Sequence, residues 1–232
     1  MSTSAEIEQA IAGEENISLL IPRSYLQAPP LRFDFSKQNP DIWHVNMADA
    51  NMLQAYIDKA LTKNVRAWGM GGYGEDRFFY EESPLFKSGD EYRSIHIGLD
   101  IWLPSGTELY APLEATVHSF RCNDNFLDYG PTILLQHDLR GVVFYTLYGH
   151  LSKDSLKGLH EGKRVASGER IATLGTVKEN GSWPPHLHWQ IIGDMLGKNG
   201  DYSGVVVPSE REKYLNICPD PEILLRPFIT PE

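Results

Sequence analysis

The stretch RSIHIGLDIW, residues 93–102, sets an imidazole and a carboxylate four positions apart in a run that otherwise alternates apolar residues with small or polar ones. In a strand, successive side chains point to opposite faces. Ile95, Ile97, Leu99 and Ile101 would then line one face, and His96, Gly98, Asp100 and Trp102 the other. The first set reads as a core face. On the second, Gly98 leaves a gap between imidazole and carboxylate, the space that a ligand close to the backbone requires. Taken alone, the commoner explanation is a half-buried strand with two polar residues on its outer face; a metal site needs further ligands.

A second stretch supplies them. In WPPHLHWQII, residues 183–192, Leu187, Trp189 and Ile191 alternate with His186, His188 and Gln190, so both imidazoles leave the strand on one side. Two titratable rings committed to one surface of an apolar strand are costly to bury without partners, so a metal or a hydrogen-bond network must take them up. Together with His96 and Asp100 they offer enough nitrogen and oxygen donors for zinc with three protein ligands and one open position. A third stretch, FYTLYGHL, ends an apolar run on Gly149 and His150, a strand terminus beside a loop. The remaining histidines, His44, His118, His137 and His160, have no such setting and are assigned to structure or solvent.

Around these motifs the chain reads as mainly β. Short apolar runs separated by Gly, Pro, Asp and Asn recur from about residue 78 to 195: TELYA, ATVHSF, TILLQH, VVFYTLYGH, RIATLG and HLHWQII. TILLQHDLRGVVFYTLYGHL is expected to be a hairpin turning at Asp138–Gly141. Before this region, MADANMLQAYIDKALTK predicts one helix over Met47–Lys63, with Met47, Leu53, Tyr56, Ile57 and Leu61 on one face. PRSYLQAPPLRFDFSKQNPDIW reads as an irregular arm, and the glycines of WGMGGYGEDR as a loop. The tail, VPSEREKYLNICPDPEILL, predicts a short proline-started helix and a Pro-Asp-Pro turn. The expected division is an arm and helix over 1–70, a β-domain over 71–196 and a C-terminal extension over 197–232.

The 232 residues carry 41% hydrophobic and 22% charged residues and a net charge of −10. That balance suits a globular protein and argues against nucleic acid or an anionic membrane as the main partner. No apolar stretch of signal-peptide or transmembrane length is present, and Cys122 and Cys218 are far apart, as free thiols in a reducing compartment would be. A cytoplasmic location is expected.

The set HIGLD, YGHL and HLHW, in this order and embedded in GTELYAPLEATV and GKRVASGERIATLG, resembles the lysostaphin/LytM-type zinc metallopeptidases over roughly residues 93–192. The resemblance implies an antiparallel β-sandwich with a groove and cleavage of peptide bonds in bacterial cell-wall cross-links. It implies that His96, Asp100 and His188 hold Zn2+ and that His150 and His186 are unligated catalytic imidazoles. Two departures stand out. The lead-in to His-x-His is NGSWPP where the family commonly has Thr/Ser-Gly-Pro, and Gln190 stands where a glutamate is common. Trp183 and its following prolines are expected to narrow and stiffen that wall.

GGYGEDRFFY, NGSWPPHLHWQII and the C-terminal tail are also similar to the peptidase-like segment found between phosphotransferase-like and aminotransferase domains in certain fused enzymes. This second likeness implies a cytoplasmic hydrolase of a small amide or short peptide, peptidoglycan-derived fragments included, over a wall-degrading enzyme. The alternative is a metal-binding but catalytically inactive interaction module.

Overall fold

The computed structural model describes residues 2–46, 48–77, 80 and 84–229. Helix α1 (Ser4–Ala12) precedes strand β1 (Leu31–Arg32), and helix α2 (Ala50–Asn64) leads into β2 (Gly69–Gly71). A small hairpin of β3 (Lys87–Ser88) and β4 (Glu91–Tyr92) is followed by β5 (Ile95–His96), β6 (Leu99–Trp102) and β7 (Glu108–Tyr110). The long strands β8 (Ala115–Asn123), β9 (Gly130–Leu139) and β10 (Val142–Gly149) form a meander. Short strands β11 (Arg164–Val165) and β12 (Arg170–Thr173) then lead to β13 (His186–Ile192), β14 (Val205–Val206) and helix α3 (Arg211–Leu215). Among the described residues, no helix is long and apolar enough to cross a membrane.

Eight strands make one sheet in the order β1-β2-β6-β13-β10-β9-β8-β11. The expected mainly β chain is present, with the hairpin of β9 and β10 turning at Arg140 and Gly141, both at positive φ. The sheet is mixed, however, where an antiparallel one was expected, because β1 pairs with β2 in parallel. A parallel pair needs a crossover connection, and α2 lies within the one joining these strands. The glycines read as a loop are in part the strand β2. A Cβ on Gly69 would lie 2.3 Å from the Phe33 ring and one on Gly71 2.3 Å from the Phe33 carbonyl oxygen, so only glycine lets the neighbouring segment approach.

Packing corrects two further expectations. RSIHIGLDIW is not one continuous strand: it breaks at Ile97–Gly98, and residues 94–102 are buried on both faces. Leu99 and Ile101 join Leu187, Trp189 and Ile191 in the main core, whereas Ile95 and Ile97 pack in a separate cluster with Leu134, Leu147, Ile192 and Val206. Ahead of the stretch read as an irregular arm, where no helix was expected, the chain forms α1. Thr3 caps it with a reciprocal Glu6 bond, and Ile7 and Ile11, one turn apart, enter the main core. Helix α2 buries Leu53 and Ile57 as expected; Met47 lies outside the described residues. The predicted C-terminal helix is α3.

Candidate metal centre

Strand register assembles the site. Asp100 on β6 lies directly opposite His188 on β13, and His186, two residues earlier, opposes Trp102. The same row continues to Gly71 on one side and Gly149 on the other, so small residues flank the polar pair. β5, hydrogen-bonded to β14, carries His96 in from the side. His150 sits one residue past β10 at φ 63, a left-handed conformation that a non-glycine residue adopts only when its surroundings impose it. Its N–H donates to the Tyr129 carbonyl at 2.8 Å and its carbonyl accepts from Gly175 at 2.9 Å, which fixes that turn.

Three donor atoms converge. His96 Nε2 is 3.0 Å from His188 Nδ1, and each is 3.3 Å from Asp100 Oδ1. His96, Asp100 and His188 therefore form a group able to hold a metal ion, all three buried. With metal–nitrogen bonds of about 2.0–2.1 Å, the edge of a tetrahedron is about 3.3 Å, so the donor triangle already has the dimensions of a tetrahedral site. Tautomers agree with this. His96 Nδ1 contacts the Gly72 carbonyl at 2.8 Å, which only accepts, so its proton sits on Nδ1 and Nε2 offers a lone pair. His188 Nε2 faces Gln190 Oε1 at 3.2 Å and the Tyr129 hydroxyl at 3.3 Å, which leaves Nδ1 as its inward lone pair. Gln190 is itself oriented by donating to the Ser203 carbonyl and to Cys218 Sγ.

The gap at Gly98 is filled by the protein. A Cβ there would lie 2.5 Å from the His188 ring, and one on Gly204 would lie 2.0 Å from the Tyr129 hydroxyl. Behind the carboxylate stands a group that sequence reading missed. The buried Arg77 donates to Asp100 Oδ2 at 2.7 Å, and its Nε donates to Glu75 Oε2 at 2.9 Å, so Asp100 turns one oxygen to the histidines and the other to a guanidinium. Burial opposes ionisation of Asp100, yet His96 and Arg77 together hold its carboxyl well below the usual carboxylate range. Burial, reinforced by the Arg77 charge, lowers His96 to about 4. The only sign of Arg77 in the sequence was its place in GGYGEDRFFY, and Tyr129 gave none.

His150 and His186 lie beside the triangle, their ring centroids 4.3 Å apart. His186 Nε2 is 3.8 Å from Asp100 Oδ1. Each ring donates its Nδ1 proton to a backbone carbonyl, His150 to Asn180 at 2.8 Å and His186 to Pro184 at 2.7 Å. Burial holds both rings below the ordinary histidine range, so each stays neutral with Nε2 as an acceptor. The Trp183 ring stands 6.2 Å from both and lines the cleft beside them. Of the other histidines, His44 and His160 are exposed and His118 is half-buried. His137 is buried between the Glu114 carbonyl and the Thr146 hydroxyl.

Comparison with solved structures finds the zinc-containing peptidase of Vibrio cholerae at 27% identity and TM-score 0.35, covering 42% of this chain and 27% of that one. This chain thus spans about a quarter of that protein. The lysostaphin catalytic domain of Staphylococcus simulans matches at 23% identity and TM-score 0.36, covering 58% and 97%. A mutant catalytic domain of the prophage-encoded M23 protein EnpA of Enterococcus faecalis matches at 23% and 0.36, covering 51% and 85%. No curated protein sequence matches the chain. The family whose model does match is peptidase family M23, over residues 94–207, just under half of the chain and the span that holds His96, Asp100, His150, His186 and His188.

Proposed function

We propose that the protein is a zinc-dependent hydrolase of a peptide or amide bond. His96, Asp100 and His188 hold the metal, and His150 and His186 move the protons. The observation that carries this reading is the triangle of donor atoms at 3.0–3.3 Å, with tautomers that turn all three lone pairs inward. The match to the peptidase family M23 model supports it. Zinc bound there supplies a Lewis acid for the scissile carbonyl and makes water nucleophilic at neutral pH. The neutral Nε2 atoms of His150 and His186 take up a proton from water and return it to the leaving nitrogen. A ring that has gained a proton also donates a hydrogen bond to the oxygen that becomes negative. Arg77 keeps Asp100 ionised, and Trp183 and Trp102 shield the rings from solvent.

Residues 71–196 are proposed to carry the site within a lysostaphin-like sandwich, with 1–70 and 197–232 as an N-terminal arm and helix and a C-terminal extension. The substrate is a short peptide or small amide, and the setting cytoplasmic. The test is hydrolysis of short peptides by protein stripped with chelator and reloaded with zinc. Activity that disappears on stripping and returns with zinc is expected; activity indifferent to metal contradicts the reading. An inactive metal-binding module would bind zinc and cleave nothing.

A further inference from the structure

One wall of the cleft comes from outside residues 94–207. Phe35, in the segment after β1, and Leu53, on α2, line it beside Phe86, Trp102, Leu127 and Trp183. The wall is continuous with the candidate catalytic rings. The Phe35 ring lies 5.7 Å from Trp102, and Trp102 stacks on His186 at 4.3 Å. Leu53, Phe35, Phe86, Leu127 and Trp183 belong to one apolar cluster, so the cleft opens onto a hydrophobic body held in place by packing. The lining also includes the polar residues Asp128, Asp201 and Lys198. The six exposed large apolar side chains among the described residues include Trp43, Met52 and Phe126, each the chain neighbour of a cluster residue.

A glycine beside the reacting carbonyl offers nothing to such a wall, whereas a leucyl or aromatic side chain exchanges water for apolar contact there. We propose that Phe35, in the segment after β1, and Leu53, within α2, build a subsite for a bulky apolar side chain next to the scissile bond. The preferred substrate is then a peptide or amide bearing such a group, not a run of glycines. This inference rests on the hydrolase reading for its catalytic consequence, though not for binding.

Two measurements on the full chain separate the inferences. The first compares fluorescence-quenched peptides that differ only in having glycine or leucine beside the cleaved bond, with zinc-loaded protein. The leucine peptide is expected to have a kcat/KM higher by about tenfold or more, mainly through KM. Leu53→Phe, which fills the subsite, should reduce that ratio; Phe35→Leu, at the other of these two lining positions, serves if the first variant does not fold. Equal or faster cleavage of the glycine peptide, or an unchanged ratio in a folded variant, overturns the subsite. The second follows binding of N-acetyl-leucinamide and N-acetylglycinamide to zinc-free protein by tryptophan fluorescence. Leucinamide should bind about tenfold more tightly. Equal binding overturns the subsite even if hydrolysis occurs. Leucinamide preference with no cleavage of any peptide supports it while overturning the hydrolase reading.

Discussion

The roles of individual residues follow from where their protons sit. His150 and His186 spend their Nδ1 protons on backbone carbonyls and lie outside the donor triangle. His150→Ala and His186→Ala should therefore retain zinc and fold while losing about 10²-fold or more in kcat, checked by elemental analysis beside peptide kinetics. Loss of metal in either would reassign the rings. Gln190 is fully buried and does not line the cleft; it accepts from His188 Nε2 and so keeps the inward nitrogen free. Gln190→Ala should weaken zinc about 10–100-fold in a chelator competition, and Gln190→Glu should restore it. Much of this was legible in sequence. Strand parity paired His186 with His188, because a period of two is local information; His96 and Asp100 do meet, but across a broken strand, with His96 entering on β5 from a separate two-stranded sheet. Arg77 and Tyr129 were not legible, since they reach the site from loops whose course depends on the assembled sheet.

At the scale of elements, the packing of glycine against β13 couples the broken strand to the site. Gly98→Ala would place a methyl 2.5 Å from the His188 ring, in a gap bounded by the Trp189 carbonyl, so either the ring or the backbone must shift. A large loss of zinc affinity is expected, with far-ultraviolet circular dichroism near that of the parent protein. His137, on β9, offers a control remote from the metal ligands. Burial lowers it to about 4, against about 6.5 in the unfolded chain. The unfolded state thus binds the proton first as the pH falls. His137's contribution is fully present above about pH 6.5 and is lost towards pH 4, by about 3 kcal/mol. Denaturant titrations of the parent and His137→Gln should converge over that window. The long strands β8–β10 and β13 were readable because their alternation is sustained. Helix α1 was missed although TSAE is a capping box, and β2 was misread because glycines that permit close approach resemble glycines that make turns.

For the whole molecule, the N-terminal segment matters as much as the sheet it covers. Ile7, Ile11, Leu20, Ile21, Trp68 and Met70 lie in the main core, and Phe33, Phe35, Ile42, Leu53 and Ile57 in the cluster beside the cleft. At about 1.5–3 kcal/mol for each fully buried large apolar side chain, their removal exceeds the roughly 5–15 kcal/mol that holds a domain together. A fragment beginning at Gly71 should be insoluble or lack a cooperative melt; a stable, cooperatively melting fragment would contradict this. The central claim, that the sheet register builds a metal site from His96, Asp100 and His188, has a direct test in the zinc content of the purified protein and of His188→Ala. One zinc per chain in the parent and almost none in the folded variant is the predicted result. Stoichiometric zinc retained by His188→Ala would contradict it.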